Sequence, residues 1–274
     1  MYKLELVRKR KRRMWAAIIG GIGVTGVATL SIAAFLGHRT GSFTVALEGR
    51  NAKLTLSESS TFENSSSYLR VGEVPGFQEI SYTHKLKELR NDGALDNEAN
   101  DYTFGIRTNA NGKQFTEFLK YTFFIKNVGV DPARYDFSLQ IKEVVTTNEG
   151  SSLEDSFRVL IFNSDSNSDE STSEVYAKRL QVPRPTADEA NDYRAPVALD
   201  EKDAEEYGEP FEGYATMFKS TKEVMSQVAI ELEPNEWKKY TIVTWLESFQ
   251  ASGDADALRG ASIKLGVEIN AYEN

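Results

Sequence analysis

Apolar and polar residues alternate along most of the chain from residue 40 onward. In 135–141, four apolar side chains are separated by three polar ones. Successive side chains of a β-strand point to opposite faces, so this period of two predicts a strand with one buried and one solvated face. The same pattern recurs at 43–47, 157–161, 240–246 and 263–269. The chain is therefore predicted to fold mainly as β-strands after residue 40.

Turn-forming residues separate the predicted strands at 127–129, 148–150, 234–235 and 252–254. Alternating strands with such connections are typical of an antiparallel β-sandwich, here expected to be jelly-roll-like and all-β. Two long loops are predicted, near 57–116 and near 181–220. The first should contain short strands at 67–71 and 102–107. The second holds ten acidic residues and four of the seven prolines, which predicts an exposed and partly mobile segment.

An uncharged run of 24 residues, from Met14 to Gly37, precedes the alternating pattern. As a helix it would rise about 1.5 Å per residue to roughly 36 Å, which exceeds the roughly 30 Å hydrocarbon core of a bilayer. Trp15 stands near its start, and aromatic side chains favour the membrane interface. The sequence therefore predicts a transmembrane signal anchor over 14–37.

Residues 1–13 form a basic tail, with seven Lys or Arg and one Glu, a net charge of +6. Basic residues concentrate on the cytoplasmic side of a membrane span. The pattern therefore predicts a cytoplasmic N-terminus, a single pass through the cell membrane and an extracellular domain over 38–274. Basic side chains beside a span also attract anionic inner-leaflet lipids. The side chains expected to do so are Arg8, Lys9, Arg10, Lys11, Arg12 and Arg13.

A cleaved signal peptide is the alternative to an anchor, because Ser31-Ile32-Ala33 fits a small-x-small cleavage site. The apolar region of a signal peptide is usually about 7–15 residues long, shorter than this run. The length and the position of Trp15 favour an uncleaved anchor. Cleavage that leaves a mature N-terminus near Ala34 stays open.

The predicted extracellular part has the opposite charge to the tail. Residues 38–274 hold 25 Lys or Arg and 40 Asp or Glu, a net charge of −15. Nucleic acids and anionic membranes repel such a domain, whereas basic surfaces or cations suit it. We therefore expect no nucleic-acid partner.

The composition excludes several kinds of catalysis. There is no cysteine, so thiol chemistry and Cys-ligated zinc are absent. His38 and His84 are the only histidines, and no catalytic or phosphate-binding motif occurs around them or elsewhere. The sequence therefore predicts a protein that is not an enzyme and has no cofactor.

Calcium is the one metal that the sequence suggests, and only weakly. Asp165 and Asp169 flank Asn167 at the oxygen-ligand spacing with which a calcium loop begins. The loop lacks the required glycine and the bidentate acid at its twelfth position. Asp254 and Asp256 form a second acidic pair. In both places a solvated turn is the favoured interpretation.

Trp237 and Trp245 form a possible ligand platform. Their separation of eight residues is even, so the two rings should share one face of a strand. Exposed indole rings on one face could stack on a sugar. Core packing is the favoured alternative, because large aromatic side chains usually lie in the core.

Several strands carry motifs in addition to the alternation. Tyr-Thr-Phe-x-Ile-Lys-Asn-x-Gly lies at 121–129 and Arg-Val-x-Ile-Phe at 158–162. In 240–269, Trp-Leu-Glu leads through an acidic loop to Ile-Lys-Leu. These motifs resemble those of a group of uncharacterised, membrane-anchored β-sandwich proteins of Firmicutes and related bacteria. That group often carries a cysteine in the acidic loop, where this chain has 255–257 (Ala-Asp-Ala).

An apolar segment followed closely by a strand pattern at 42–56 is more distantly similar to the camelysin and TasA class of surface and biofilm-fibre proteins. The resemblance implies a β-sandwich at the cell surface or in a biofilm matrix. It gives no residue that would carry an activity.

These observations together predict a non-enzymatic, single-pass cell-surface protein. Its acidic sandwich would contact an unknown extracellular protein or a second copy of itself during envelope assembly. The alternatives are a cleaved and secreted fibre subunit of the TasA kind, and a carbohydrate-binding or calcium-dependent module.

Overall fold

The computed structural model of the chain describes residues 30–33, 44–48, 53–70, 105–145, 156–166, 171–181, 192–195, 197, 214–247 and 262–272. The fourteen elements assigned within these ranges are all β-strands. In chain order they are β1 Leu30–Ala33, β2 Thr44–Glu48, β3 Leu54–Ser57, β4 Tyr68–Arg70, β5 Ile106–Thr108, β6 Gln114–Thr116, β7 Phe118–Asn127, β8 Ala133–Val145, β9 Phe157–Asp165, β10 Ser171–Ala177, β11 Thr216–Met217, β12 Glu223–Leu232, β13 Trp237–Leu246 and β14 Ser262–Tyr272.

Six strands form sheet A, in the order β12-β8-β14-β2-β4, with β1 beside the first half of β14. β8 lies between β12 and β14 and pairs antiparallel with both. On its other side, β14 pairs antiparallel with β1 over Ser262–Leu265 and parallel with β2 over Val267–Asn270. Two short strands from the N-terminal part of the chain therefore share one edge of β14.

Sheet B has the order β11-β10-β9-β13-β7-β3. Its central strand β13 pairs antiparallel along almost its whole length with β7 on one side and β9 on the other. The short pairing of β10 with β11 is parallel. β5 and β6 form a separate antiparallel hairpin.

The two sheets enclose one apolar core built from the inward positions of the alternating pattern. Phe137 and Leu139 of β8 and Ile242 of β13 are nearly or fully buried there. Tyr240 is stacked between Phe123 and Phe137, with centroid distances of 5.5 and 4.5 Å. Such aromatic pairs contribute about 0.5–1.5 kcal/mol beyond their buried area, and this stack joins the two sheets. The prediction of an all-β, sandwich-like domain is confirmed.

A second, smaller apolar cluster lies on the outer face of sheet B. Trp245 is buried there with Ala195, Val197 and Ala215. The last three belong to the stretch 181–220 that the sequence predicts to be an exposed loop. The prediction is wrong for these residues, because small apolar side chains within the acidic stretch pack against the sheet.

In the other predicted loop, near 57–116, the described residues 58–70 and 105–116 form three short strands. β4 falls within the strand predicted at 67–71. β5 overlaps the strand predicted at 102–107 only in its first two residues, and β6 has no counterpart in the prediction. The hairpin of β5 and β6 turns at Gly112, which has a φ of 74°.

Four residues of the predicted transmembrane span belong to sheet A in this structure. β1, Leu30–Ala33, pairs residue by residue with β14. A backbone in a strand cannot also continue a helix, so the helix predicted over 14–37 does not extend through β1 here. The rest of that span lies outside the described residues. Among the residues that the structure describes, there is no helix with the length and apolar character needed to cross a membrane.

Candidate functional site

Trp245 is fully buried on the outer face of sheet B. The unbroken register of β13 with both neighbours places it on the same face as Trp237, as the even spacing predicts. Its indole Nε1 donates a 2.8 Å hydrogen bond to Oε2 of the buried Glu247. Ala195 and Val197 belong to the cluster around it. The ring of Trp245 is therefore covered and cannot contact a ligand. The prediction that Trp245 belongs to a ligand platform is wrong.

Trp237 lies at the other end of β13 and is half-buried. Its ring meets that of Phe124 edge to face at a centroid distance of 5.3 Å, and Phe124 meets Phe62 at 6.1 Å. Nζ of Lys126 lies 5.2 Å from the centre of the Phe62 ring. Phe62, Phe124 and Trp237 thus form an aromatic row. Within it, Trp237 is still a candidate for contact with a ligand.

The packing of Phe62 against Phe124 was not predicted from the pattern of residues. Its φ is 56°, in the left-handed region, which costs a large L-residue about 1–3 kcal/mol. Its amide donates to the carbonyl of Ser59 at 3.1 Å, and Oγ of Ser65 donates to its carbonyl at 2.8 Å. These bonds of the serine-rich loop hold the ring against Phe124. Residue type alone does not reveal a positive φ, so the sequence carried no signal for this contact.

Asp165 is the one weak calcium candidate that lies among the described residues. Asp165 ends β9 and forms an ion pair of 2.9 Å with Lys238, its register partner on β13. Asp169, Asp254 and Asp256 lie outside the described residues. Within the ranges that the structure describes, no group of three or more His, Asp or Glu side chains could hold a metal ion.

Tyr135 and Tyr240 place two hydroxyl groups in the core between the sheets. Their oxygens are 3.0 Å apart, and both side chains are fully buried. Burial raises the pKa of both tyrosines, and the nearby charge of Asp165 adds to the rise. Both phenols are therefore protonated at neutral pH. They satisfy each other as hydrogen-bond partners and are not poised to act as bases.

The outer edge of sheet A at β12 is irregular. The register of β12 with β8 shifts twice, the second time between Gln227 and Ile230. Within this second shift Ala229 has a φ of 55°, and its amide donates to Oδ1 of Asp136 at 2.9 Å. Bulges of this kind twist an edge and hinder the addition of another strand.

The other terminal strands are short or covered. β4 has three residues and β11 has two. Beside β3, the amide of Leu56 donates to the carbonyl of Ser66 at 2.8 Å, and the amide of Ser66 donates back at 2.9 Å. None of these strands offers a long flat edge in the part of the chain that the structure describes.

The first half of β14 is the place in sheet A where an N-terminal segment adds as a strand. We call Ser262–Leu265 the β14 half-edge. Ile263 and Leu265 are buried in the core, and β8 pairs along the other side of the strand. Gly266 separates the half-edge from the stretch paired with β2. Without β1, the backbone groups that face away from β8 would have no sheet partner, which is the condition for strand addition.

The residues predicted to set the membrane topology all lie outside the described residues. They are Arg8, Lys9, Arg10, Lys11, Arg12, Arg13 and Trp15.

Comparison with known proteins identifies no relative of the chain. No family model, curated protein or solved structure matches it significantly. The similarity to membrane-anchored surface proteins therefore stays a prediction from sequence motifs.

Proposed function

We propose that the protein is a non-enzymatic, single-pass cell-surface protein whose acidic β-sandwich contacts other proteins at the envelope. The sandwich would be jelly-roll-like and preceded by one transmembrane helix within 14–37. The observation that carries the proposal is the β14 half-edge, because a short strand from the N-terminal part of the chain pairs there. Among the described strands, β12 is bulged and the terminal strands β4 and β11 have three and two residues.

Anchoring is supported by the charge distribution. The tail of net charge +6 adjoins the uncharged run, and each basic residue near an anionic leaflet contributes about 1 kcal/mol of attraction. The domain of net charge −15 would lie on the other side of the membrane, where it stays soluble and is repelled by anionic lipid. The partner is therefore an extracellular protein or a second copy of the chain.

The experiment is a topology measurement on cells that produce the full chain. We expect the protein in the membrane fraction, with 38–274 digested by protease added to intact cells. The matched control replaces Arg8 to Arg13 by Gln, which should lower the digested fraction because the orientation signal is lost. Recovery of the full chain in the cytosol would contradict the proposal.

A cleaved and secreted fibre subunit is the second candidate, and the same half-edge favours it. Cleavage after Ala33 would remove β1 and leave Ser262–Leu265 unpaired on one side. Another copy could then add a strand there. Mass spectrometry of the mature N-terminus in membrane and medium fractions distinguishes the two. A medium form beginning near Ala34 supports the fibre subunit, and a membrane form that retains 14–37 supports the anchor.

A further inference from the structure

A helix that crosses the membrane needs the residues that form β1. The uncharged run has 24 residues, of which 16, from 14 to 29, precede β1. At about 1.5 Å per residue these would make a helix of roughly 24 Å, shorter than a hydrocarbon core of about 30 Å. The run spans the core only if 30–33 continue the helix. The same four residues therefore have two positions that exclude each other.

The strand β1 that pairs with the β14 half-edge can come from the same chain as β14. The end of β1 lies opposite Ser262, and β2 begins its pairing opposite Val267. Five residues of strand correspond to about 17 Å, whereas the ten residues of 34–43 reach about 33 Å when extended. The connection is long enough for β1 and β2 of one chain to lie on one edge of β14.

We propose that Leu30–Ala33 is a switch segment, which lies in the membrane when the chain is anchored and on the β14 half-edge when it is not. The proposal rests on the anchoring proposed above. Insertion of 14–37 withdraws the segment and leaves the half-edge open on one side, ready for a strand from a partner. A chain that is not inserted covers the half-edge with its own segment.

Disulfide trapping tests the switch. The chain has no native cysteine, so no native thiol can form a competing crosslink. Ser31→Cys with Lys264→Cys joins register partners of β1 and β14, and the control Glu48→Cys with Asn270→Cys joins register partners of β2 and β14. Each pair is placed in the full chain and in a full chain that carries Ile19→Asp and Ile22→Asp. Two acids within the apolar run disfavour insertion.

The intrachain crosslink is measured by gel shift after mild oxidation of membrane vesicles and of the non-inserting chain. We expect the control pair to crosslink equally in both. The Ser31–Lys264 pair should crosslink about tenfold more in the non-inserting chain. Insertion into the membrane withdraws the switch segment from the β14 half-edge and so separates the two cysteines.

Two results would overturn the switch while leaving the anchor intact. One is a Ser31–Lys264 crosslink in membrane-bound chains as strong as that of the control pair. The other is a crosslink of this pair between two chains in the non-inserting protein, because the segment would then belong to a neighbour. A full chain that never enters the membrane fraction refutes the anchor itself, and the switch with it.

Discussion

Nδ2 of Asn127 donates a 2.9 Å hydrogen bond to the carbonyl oxygen of Leu232, which lies 105 residues further along the chain. The same nitrogen donates to the carbonyl of Asp131 at 2.9 Å, and Oδ1 accepts a bond of 2.8 Å from the amide of Gly129. The side chain is fully buried. One amide group therefore closes the turn between β7 and β8 and fastens it to the end of β12.

Asn127→Ala should destabilise the domain by about 2–4 kcal/mol, because buried backbone groups lose their partners. The free energy of unfolding from urea titration measures this. Asn270→Ala is the matched control, since this asparagine is exposed on β14, and its effect should stay within about 0.5 kcal/mol. Equal effects of the two substitutions would show that the buried amide is not needed.

The two tryptophans of β13 should differ strongly in their contribution to stability. Trp245→Ala removes a fully buried ring and the donor to Glu247, and should cost about 3–5 kcal/mol. Trp237→Ala removes a half-buried ring, and should cost about 1–2 kcal/mol. Urea titrations of both variants check the order. A larger loss for Trp237 would contradict the assignment of Trp245 to the second apolar cluster.

Alkaline pH should weaken the fold through Tyr135 and Tyr240. Burial raises the pKa of both in the folded state above the value near 10 of the unfolded chain. The folded state then holds protons that the unfolded state releases. The contribution of the two tyrosines to the free energy of unfolding is complete below about pH 10 and is lost as the pH rises toward their pKa in the folded state. The free energy of unfolding then falls by up to about 1.4 kcal/mol per pH unit for each tyrosine.

Urea titrations between about pH 8 and pH 11.5 measure this dependence. The double variant Tyr135→Phe, Tyr240→Phe should show a flatter decline above pH 10. Some decline will persist, because burial also raises the pKa of Tyr176. An unchanged slope in the double variant would rule out the buried pair as its source.

Two glycines should differ in their tolerance of alanine. A Cβ on Gly105 would lie 1.8 Å from the carbonyl oxygen of Phe118, which is backbone and cannot turn aside. A Cβ on Gly129 would lie 2.6–2.9 Å from Cδ, Cβ and Cγ of Lys53, so the base of that side chain has to shift, although no backbone atom is met. Gly105→Ala should therefore cost about 3 kcal/mol or more, and Gly129→Ala less, about 1–2 kcal/mol. Thermal unfolding of both variants measures the order, and the reverse order would contradict it.

The alternation of residue types was sufficient to predict β8, β9, β13 and β14, but not the ten-residue β12, whose register with β8 shifts twice. Every second side chain is apolar over 133–141 of β8 and throughout β14, and these are the ones that face the core, because the pleat fixes which face each position occupies. The same argument placed Trp237 and Trp245 on one face. It could not tell which is covered, because the cover over Trp245 comes from Ala195 and Val197, about 50 residues earlier in the chain.

The remaining features leave no periodic trace. Ala195 and Ala215 lie within an acidic stretch rich in proline, and that composition predicts an exposed loop and gives no sign of packing. β1 lies within an unbroken apolar run, and such a run does not distinguish a strand from a helix. The positive φ of Phe62 depends on hydrogen bonds of its loop and not on residue type.

The parallel pairing of β2 with β14 has a mechanical consequence. Four register pairs, from Val45 with Val267 to Glu48 with Asn270, join a strand near the start of the described chain to its last strand. Tension between the N-terminal side of β2 and Tyr272 pulls the two strands in opposite directions along their axes. The evenly spaced hydrogen bonds of a parallel pair then carry the load together and cannot open one at a time. If the domain is tethered at one end and pulled at the other, the pair of β2 and β14 is loaded in shear and resists separation of the two strands.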